Sequence, residues 1–179
     1  MAMVVGTASV ATAEVRKLDL GELSQRSAMI IRGTVLSMKN TTVAVGGAEL
    51  PAVTYHVAVN DTLKATSNAN FIEKNGKRVA VITMLSSKAV TRVSNNLVRF
   101  SKLGELPSLE VGQEYLLMMT GQSAVGLQMT VGTTQGCFHI NPKTNIATNA
   151  LDNRGLSASI NGPVAYSVLA SAITAAVGQ

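Results

Sequence analysis

The sequence predicts a mainly β protein, a small antiparallel barrel with a short N-terminal helix and a C-terminal helix. Three observations lead there. Short β-branched runs alternate in polarity between glycine-rich turns. A long apolar stretch at the end is bracketed by Pro163 and Gly178, which is helix punctuation. The 179 residues are 46% apolar and 14% charged, enough apolar surface for one globular domain, taken as residues 14–179. Six or seven short antiparallel strands must hide their edges, and a closed or nearly closed barrel does so; an open sandwich is the runner-up.

Residues 1–13, MAMVVGTASVATA, are small, apolar and uncharged, and end in Ala11-Thr12-Ala13 before the charged Glu14-Val15-Arg16-Lys17. This pattern fits a signal-peptide remnant with an A-x-A cleavage site, although the basic start of such a signal is missing. A frayed terminus or an added strand is the competing reading.

Asp19 and Glu22 have capping-box spacing, with Leu20, Leu23 and Ser27 on one face, so residues 20–27 read as a short helix. Residues 28–38 form the first long strand, with Gly33 marking a bulge or sharp bend. Asn40-Thr41-Thr42 and Gly46-Gly47 are turn chemistry, and residues 53–60 alternate strictly as a second strand. A third strand covers 78–84 behind the Asn75-Gly76 turn, and a ragged fourth covers 90–100. The apolar run 114–119 and the segments 127–131 and 136–140 complete the strands, before a turn at 141–145. Residues 164–177 read as a helix whose face of Val164, Val168, Leu169, Ala172, Ile173 and Ala176 seals the barrel.

Four segments then resemble, in order, a group of bacterial exported proteins: 20–35 (LGELSQRSAMIIRGTV), 55–64 (YHVAVNDTLK), 111–119 (VGQEYLLMM) and 131–140 (VGTTQGCFHI). The shared pattern is a short helix, a strand with a G-x-V bend, a strand ending in L-K, a G-x-x-Y-L-L strand and a Q-G-x-F strand. That group is similar to the OB-type barrel of netrin modules and tissue inhibitors of metalloproteinases, so the resemblance implies an OB-like barrel over roughly residues 18–140. The chain departs from the group at Ala65, where glycine commonly follows L-K, and at Ala28, where aspartate is common. It also lacks the inhibitors' N-terminal zinc-binding cysteine, so no inhibitory residue carries over, and the shared motifs are structural punctuation without chemistry.

Chemistry-bearing residues are sparse. Cys137 is the single cysteine, which excludes an intramolecular disulfide and a multi-thiolate zinc site. It shares a strand face with His139, but no oxyanion donor accompanies them, and a buried or half-buried free thiol is expected. His56 and His139 are the only histidines; a metal site would need a third ligand such as Asp61 or Glu114, which no spacing supplies. The serines lack a nucleophile elbow, the carboxylates form no acid–base pair, and the glycine clusters at 46–47 and 132–136 lack the helix of a phosphate loop. No metal, cofactor or catalytic residue is assigned.

The net charge is +5, and the loose basic cluster of Lys64, Lys74, Lys77, Arg78, Lys88, Arg92, Arg99 and Lys102 is the candidate binding face. Three Phe, three Tyr and no Trp make a poor base-stacking platform, so a solvated face is favoured over a nucleic-acid site. No apolar run reaches the roughly 18 residues of a membrane-spanning helix. The expectation is a non-enzymatic binding or structural module, periplasmic or extracellular, with a protein or cell-envelope partner. The alternative is an OB-like nucleic-acid-binding domain using the basic face.

Overall fold

The computed structural model describes residues 16–67, 69–86, 91–93, 96–98 and 106–178. The expected signal remnant and Glu14 lie outside them. A mainly β architecture is observed: one antiparallel eight-stranded sheet, a separate two-stranded hairpin and two helices.

Helix α1 (Leu20–Arg26) starts as its sequence predicts. Asp19 accepts from the Glu22 amide at 2.7 Å, the Glu22 carboxylate accepts from the Asp19 amide, and Leu20, Leu23 and Ser24 are buried. Strand β1 (Met29–Val45) and strand β2 (Ala48–Ala65) make one long hairpin, far longer than expected. Asn40-Thr41-Thr42 does not turn: those residues pair with Val53, Ala52 and Pro51 inside the hairpin. The reversal occurs at Gly46-Gly47, both at positive φ, a backbone that glycine reaches without steric cost. Register shifts interrupt the pairing at Ile30/Ile31, Arg32/Gly33 and Val35/Ser37, so the expected irregularity around Gly33 is present.

Strand β3 (Phe71–Lys74), absent from the sequence reading, turns at Asn75-Gly76 into β4 (Lys77–Leu85), which pairs with β2. The ragged fourth strand is instead the hairpin of β5 (Thr91–Val93) and β6 (Asn96–Val98), outside the main sheet. Strand β7 (Glu114–Met119) pairs with the first part of β1, and β8 (Cys137–Ile140), β9 (Ile146–Asn149) and β10 (Val164–Ala165) follow outward. The order is β10-β9-β8-β7-β1-β2-β4-β3.

The segment 127–131 is not a regular strand. Thr130 forms an isolated bridge with Met119, and beyond it the chain turns through Gly132 and Thr133 at positive φ. Its backbone nevertheless reaches both neighbours: the Thr120 amide donates to Met129 O at 2.8 Å, and the Gln128 amide donates to Thr83 O of β4 at 2.8 Å.

Helix α2 (Tyr166–Val177) begins later than expected, because Val164 and Ala165 are spent pairing with β9. Pro163 is therefore not its first residue, and Gly178 closes it with φ of −83°, without a left-handed residue.

Two apolar clusters lie on opposite faces of β1 and β7, as strand alternation requires. The inner one joins Met29, Ile31 and Val35 of β1 with Tyr55 and Val57 of β2, Ile82 of β4 and Leu117 of β7. The outer one joins Ile30, Leu116, Met118 and Phe138 with Leu20 and Leu23 of α1 and Leu169 and Ile173 of α2. The expected α2 face is found in part: Val164, Leu169, Ala172 and Ile173 pack on the outer cluster, joined by Tyr166, which the expected face omits, while Val168 is 50% exposed.

Candidate binding surfaces

The distal part of the β1–β2 hairpin is largely exposed, with Met38 and Asn40 sharing a cavity of about 70 Å³ with Leu85, Ser86, Pro107 and Ser108. Strand β1 pairs with β7 only from Met29 to Thr34, and Val35 then bonds to residues 112 and 113. From Leu36 to Val45 its only partner among the described residues is β2, which leaves ten residues, roughly 33 Å, of open strand edge. Leu36, Met38 and Val45 are 45%, 56% and 38% exposed, three of the seven exposed large apolar side chains described. Among the described residues the outer edge of the arm has backbone groups without a strand partner beside exposed apolar side chains, the combination that captures another extended strand.

A second feature is a polar cluster where α2 meets the sheet. Arg32 donates two hydrogen bonds to Glu114, Nε to Oε1 at 2.8 Å and Nη2 to Oε2 at 2.9 Å. Asn60 donates to the same Oε1 at 2.6 Å and to Thr34 Oγ1 at 3.2 Å. The Tyr166 hydroxyl donates to Asp61 Oδ2 at 2.6 Å, and the Arg32 guanidinium lies 4.2 Å from the Tyr166 ring centre. Hydrogen bonding from Arg32 holds the Glu114 carboxyl below its ordinary range against the opposing effect of burial, and the carboxylate in turn raises Arg32. Burial, then the bond to Asp61, raises the Tyr166 hydroxyl. The donors and acceptors satisfy one another, which makes the cluster a clasp between β1, β2, β7 and α2. Its Tyr166–Asp61 bond joins residues 105 apart in the chain, so only strand register could have revealed it.

A groove of about 440 Å³ runs between Arg16, Leu18, Arg26 and the 129–133 segment. Both arginines reach Glu22 Oε1, at 2.7 and 3.4 Å, so their charge is partly met within the chain.

The sequence-nominated basic residues are spread over several elements. Lys64 Nζ donates to Ser24 O and Gln25 O, at 2.9 and 3.2 Å, capping the end of α1. Lys74 and Lys77 face each other at the β3–β4 turn, and Arg78 lies 3.7 Å from the Phe71 ring centre. Arg92 is in β5, and Lys88, Arg99 and Lys102 lie outside the described residues.

His56 Nδ1 and Ser37 Oγ are 3.2 Å apart, whereas His139 on β8 has its Nε2 at 3.1 Å from Gln113 Oε1. Each histidine thus has its own hydroxyl or amide neighbour, on a separate strand. Cys137 packs against the inner cluster, and burial pushes its thiol up to about 12. A thiol so far from ionisation is a poor nucleophile at neutral pH. Among the described residues no group of three His, Cys, Asp or Glu could hold a metal ion, and no helix is long and apolar enough to cross a membrane.

No family model matches the chain, and no curated protein matches it.

Proposed function

We propose that this chain is an exported, non-enzymatic binding module that engages a protein partner of the cell envelope through the β1–β2 arm. The open edge of β1 from Leu36 to Val45 carries the reading. Folded proteins usually cover, shorten or charge such edges, so a long one with a single charge, Lys39, and no described partner beyond β2 fits strand addition by a partner. The high thiol pKa of Cys137 supports recognition over cysteine chemistry. Export rests on the apolar residues 1–13 and their A-x-A ending.

The scaffold in this proposal is an OB-like barrel, as the resemblance to exported netrin-like modules implies. Support comes from the single inner cluster shared by β1, β2, β4 and β7, and from segment 127–131, which bonds to β7 on one side and β4 on the other. Gln128 N–H to Thr83 O is then the bond that closes the ring.

Photocrosslinking in cells tests the reading. A photoreactive residue at Met38 is expected to give a discrete adduct in the envelope fraction, while one at the exposed Val168 of α2 gives none. A mature N-terminus at Glu14 is expected by mass spectrometry. A cytosolic protein retaining residues 1–13, or identical adducts at both positions, overturns the proposal.

A further inference from the structure

The tip of the β3–β4 hairpin, residues 72–78, is exposed along its whole length. Register and alternation sort its side chains. Ile72 lies opposite Val79 and Lys74 opposite Lys77, so Ile72, Lys74 and Lys77 share one face, while Phe71, Glu73 and Arg78 share the other. On the second face Arg78 lies over the Phe71 ring, 3.7 Å from its centre, and Glu73 supplies an acid on the facing strand. The first face carries two cations and no acid. Lys74 and Lys77 are directly opposed, an arrangement that costs stability when nothing negative lies between them. Among the described residues neither ammonium has a hydrogen bond or an ion pair, whereas Arg16, Arg26, Arg32 and Arg154 each reach a carboxylate. Beside the lysines, Ile72 is 40% exposed.

We infer that this face docks on an anionic phospholipid surface, with the two lysines among the headgroups and Ile72 at the acyl boundary. Lipid phosphates supply the counter-charge that the chain does not place between Lys74 and Lys77. The long lysine stems keep the ammonium groups at headgroup level while Ile72 goes deeper. Two other acidic partners fit less well. A nucleic-acid strand stacks its bases on open aromatic rings, and the one aromatic ring of the hairpin, Phe71, is on the other face beneath Arg78. A folded protein partner engages some 20–30 residues on each side of an interface, against the seven of this tip. The contact is reversible and sensitive to salt, because each lysine near a charged surface adds only about five-fold in partition. The surface is separate from the β1–β2 arm, so its failure leaves the arm's docking role standing.

Vesicle flotation of the full chain tests the docking. Wild type is expected to float with phosphatidylcholine vesicles containing one-third phosphatidylglycerol at low salt, to stay behind with phosphatidylcholine alone, and to be released by high salt. K74Q/K77Q is expected to lower the partition roughly 30-fold, I72S several-fold and K39Q on the arm not at all, with melting temperatures unchanged. A polarity-sensitive fluorophore is expected to shift blue on the anionic vesicles when attached at I72C and not at V168C; the buried Cys137 thiol does not compete for the label. Equal binding to neutral vesicles, a K74Q/K77Q loss no larger than that of K39Q, or the same shift at both labels overturns lipid docking. An I72S partition equal to wild type overturns it as well, leaving a bare charge contact, as does a single-stranded oligonucleotide that binds more tightly than the vesicles at the same salt.

Discussion

Gly33 shows how one atom can fix the register of a sheet. A Cβ there would collide with the Ala58 carbonyl oxygen and lie 2.6 Å from Val57 Cγ1, because β1 and β2 draw together at the register shift. Gly33→Ala is therefore expected to cost at least about 2 kcal/mol, read from urea midpoints, as overpacking against backbone does. The Arg32–Glu114 pair carries a pH signature. Glu114 has a folded pKa below its ordinary 4.5, so its stabilisation is present above that value and is lost as pH falls through the folded pKa. Glu114→Gln is expected to lower stability at pH 7 by about 1–2 kcal/mol, and the gap from wild type to narrow below pH 4.5. At the alkaline end the sign reverses. Cys137, raised from 9.0 to about 12, contributes stability that is complete below pH 9 and is lost as pH rises toward 12. Cys137→Ala should accordingly lose less melting temperature than wild type between pH 8 and pH 11. The raised Tyr166 hydroxyl acts in the same direction and keeps part of the alkaline loss in both proteins.

Among the elements, local chemistry decided what was legible. The α1 capping box, the Gly-Gly and Asn-Gly turns and the apolar run of β7 all carry signals within a few residues, and each is found in place. The misreadings arise where distant partners override local pattern. Asn40-Thr41-Thr42 has turn composition but stays extended because β2 supplies its hydrogen bonds. Val164 and Ala165 have helical neighbours but pair with β9, which delays α2. The helix face was read in place at Leu169, Ala172 and Ile173, but apolar spacing in a helix rich in alanine is ambiguous, so the exposed Val168 was included and Tyr166, buried at the first turn, was omitted. The difference gives a direct contrast. Leu169→Ala is expected to cost about 2–4 kcal/mol, as buried leucines do, whereas Val168→Ala stays within about 0.5 kcal/mol in the same denaturation series. Equal costs at the two sites would restore the face that the sequence suggested. Of the β1–β2 hairpin the strands and the Gly-Gly reversal were legible, but not the open edge of its arm, which follows from where β7 and β4 stop pairing and not from its own composition.

For the molecule as a whole, β1 and β7 act as a shared wall between two cores, so each cluster stiffens the surface on which the other packs. Removing β10 and α2 by truncation at Asn161 strips one face of that wall of Leu169 and Ile173. The truncated chain is expected to bind a hydrophobic dye and to melt at a lower temperature, with the losses originating in the outer cluster. Whether the inner core belongs to a ring or to an open sheet is a separate question, and one amide answers it. The Gln128 N–H reaches Thr83 O from an irregular segment that holds β7 through the Thr120–Met129 bond. If segment 127–131 completes a barrel, this amide opens only when β4 and β7 separate, which requires disrupting the inner cluster. Native-state hydrogen exchange should then give Gln128 an opening free energy equal to that of the buried Ile82 and Leu117 amides, while the exposed Val125 in the preceding turn exchanges far faster. Exchange at Gln128 as rapid as at Val125 would mean that the segment detaches locally, leaving the sheet open between β4 and the end of β7.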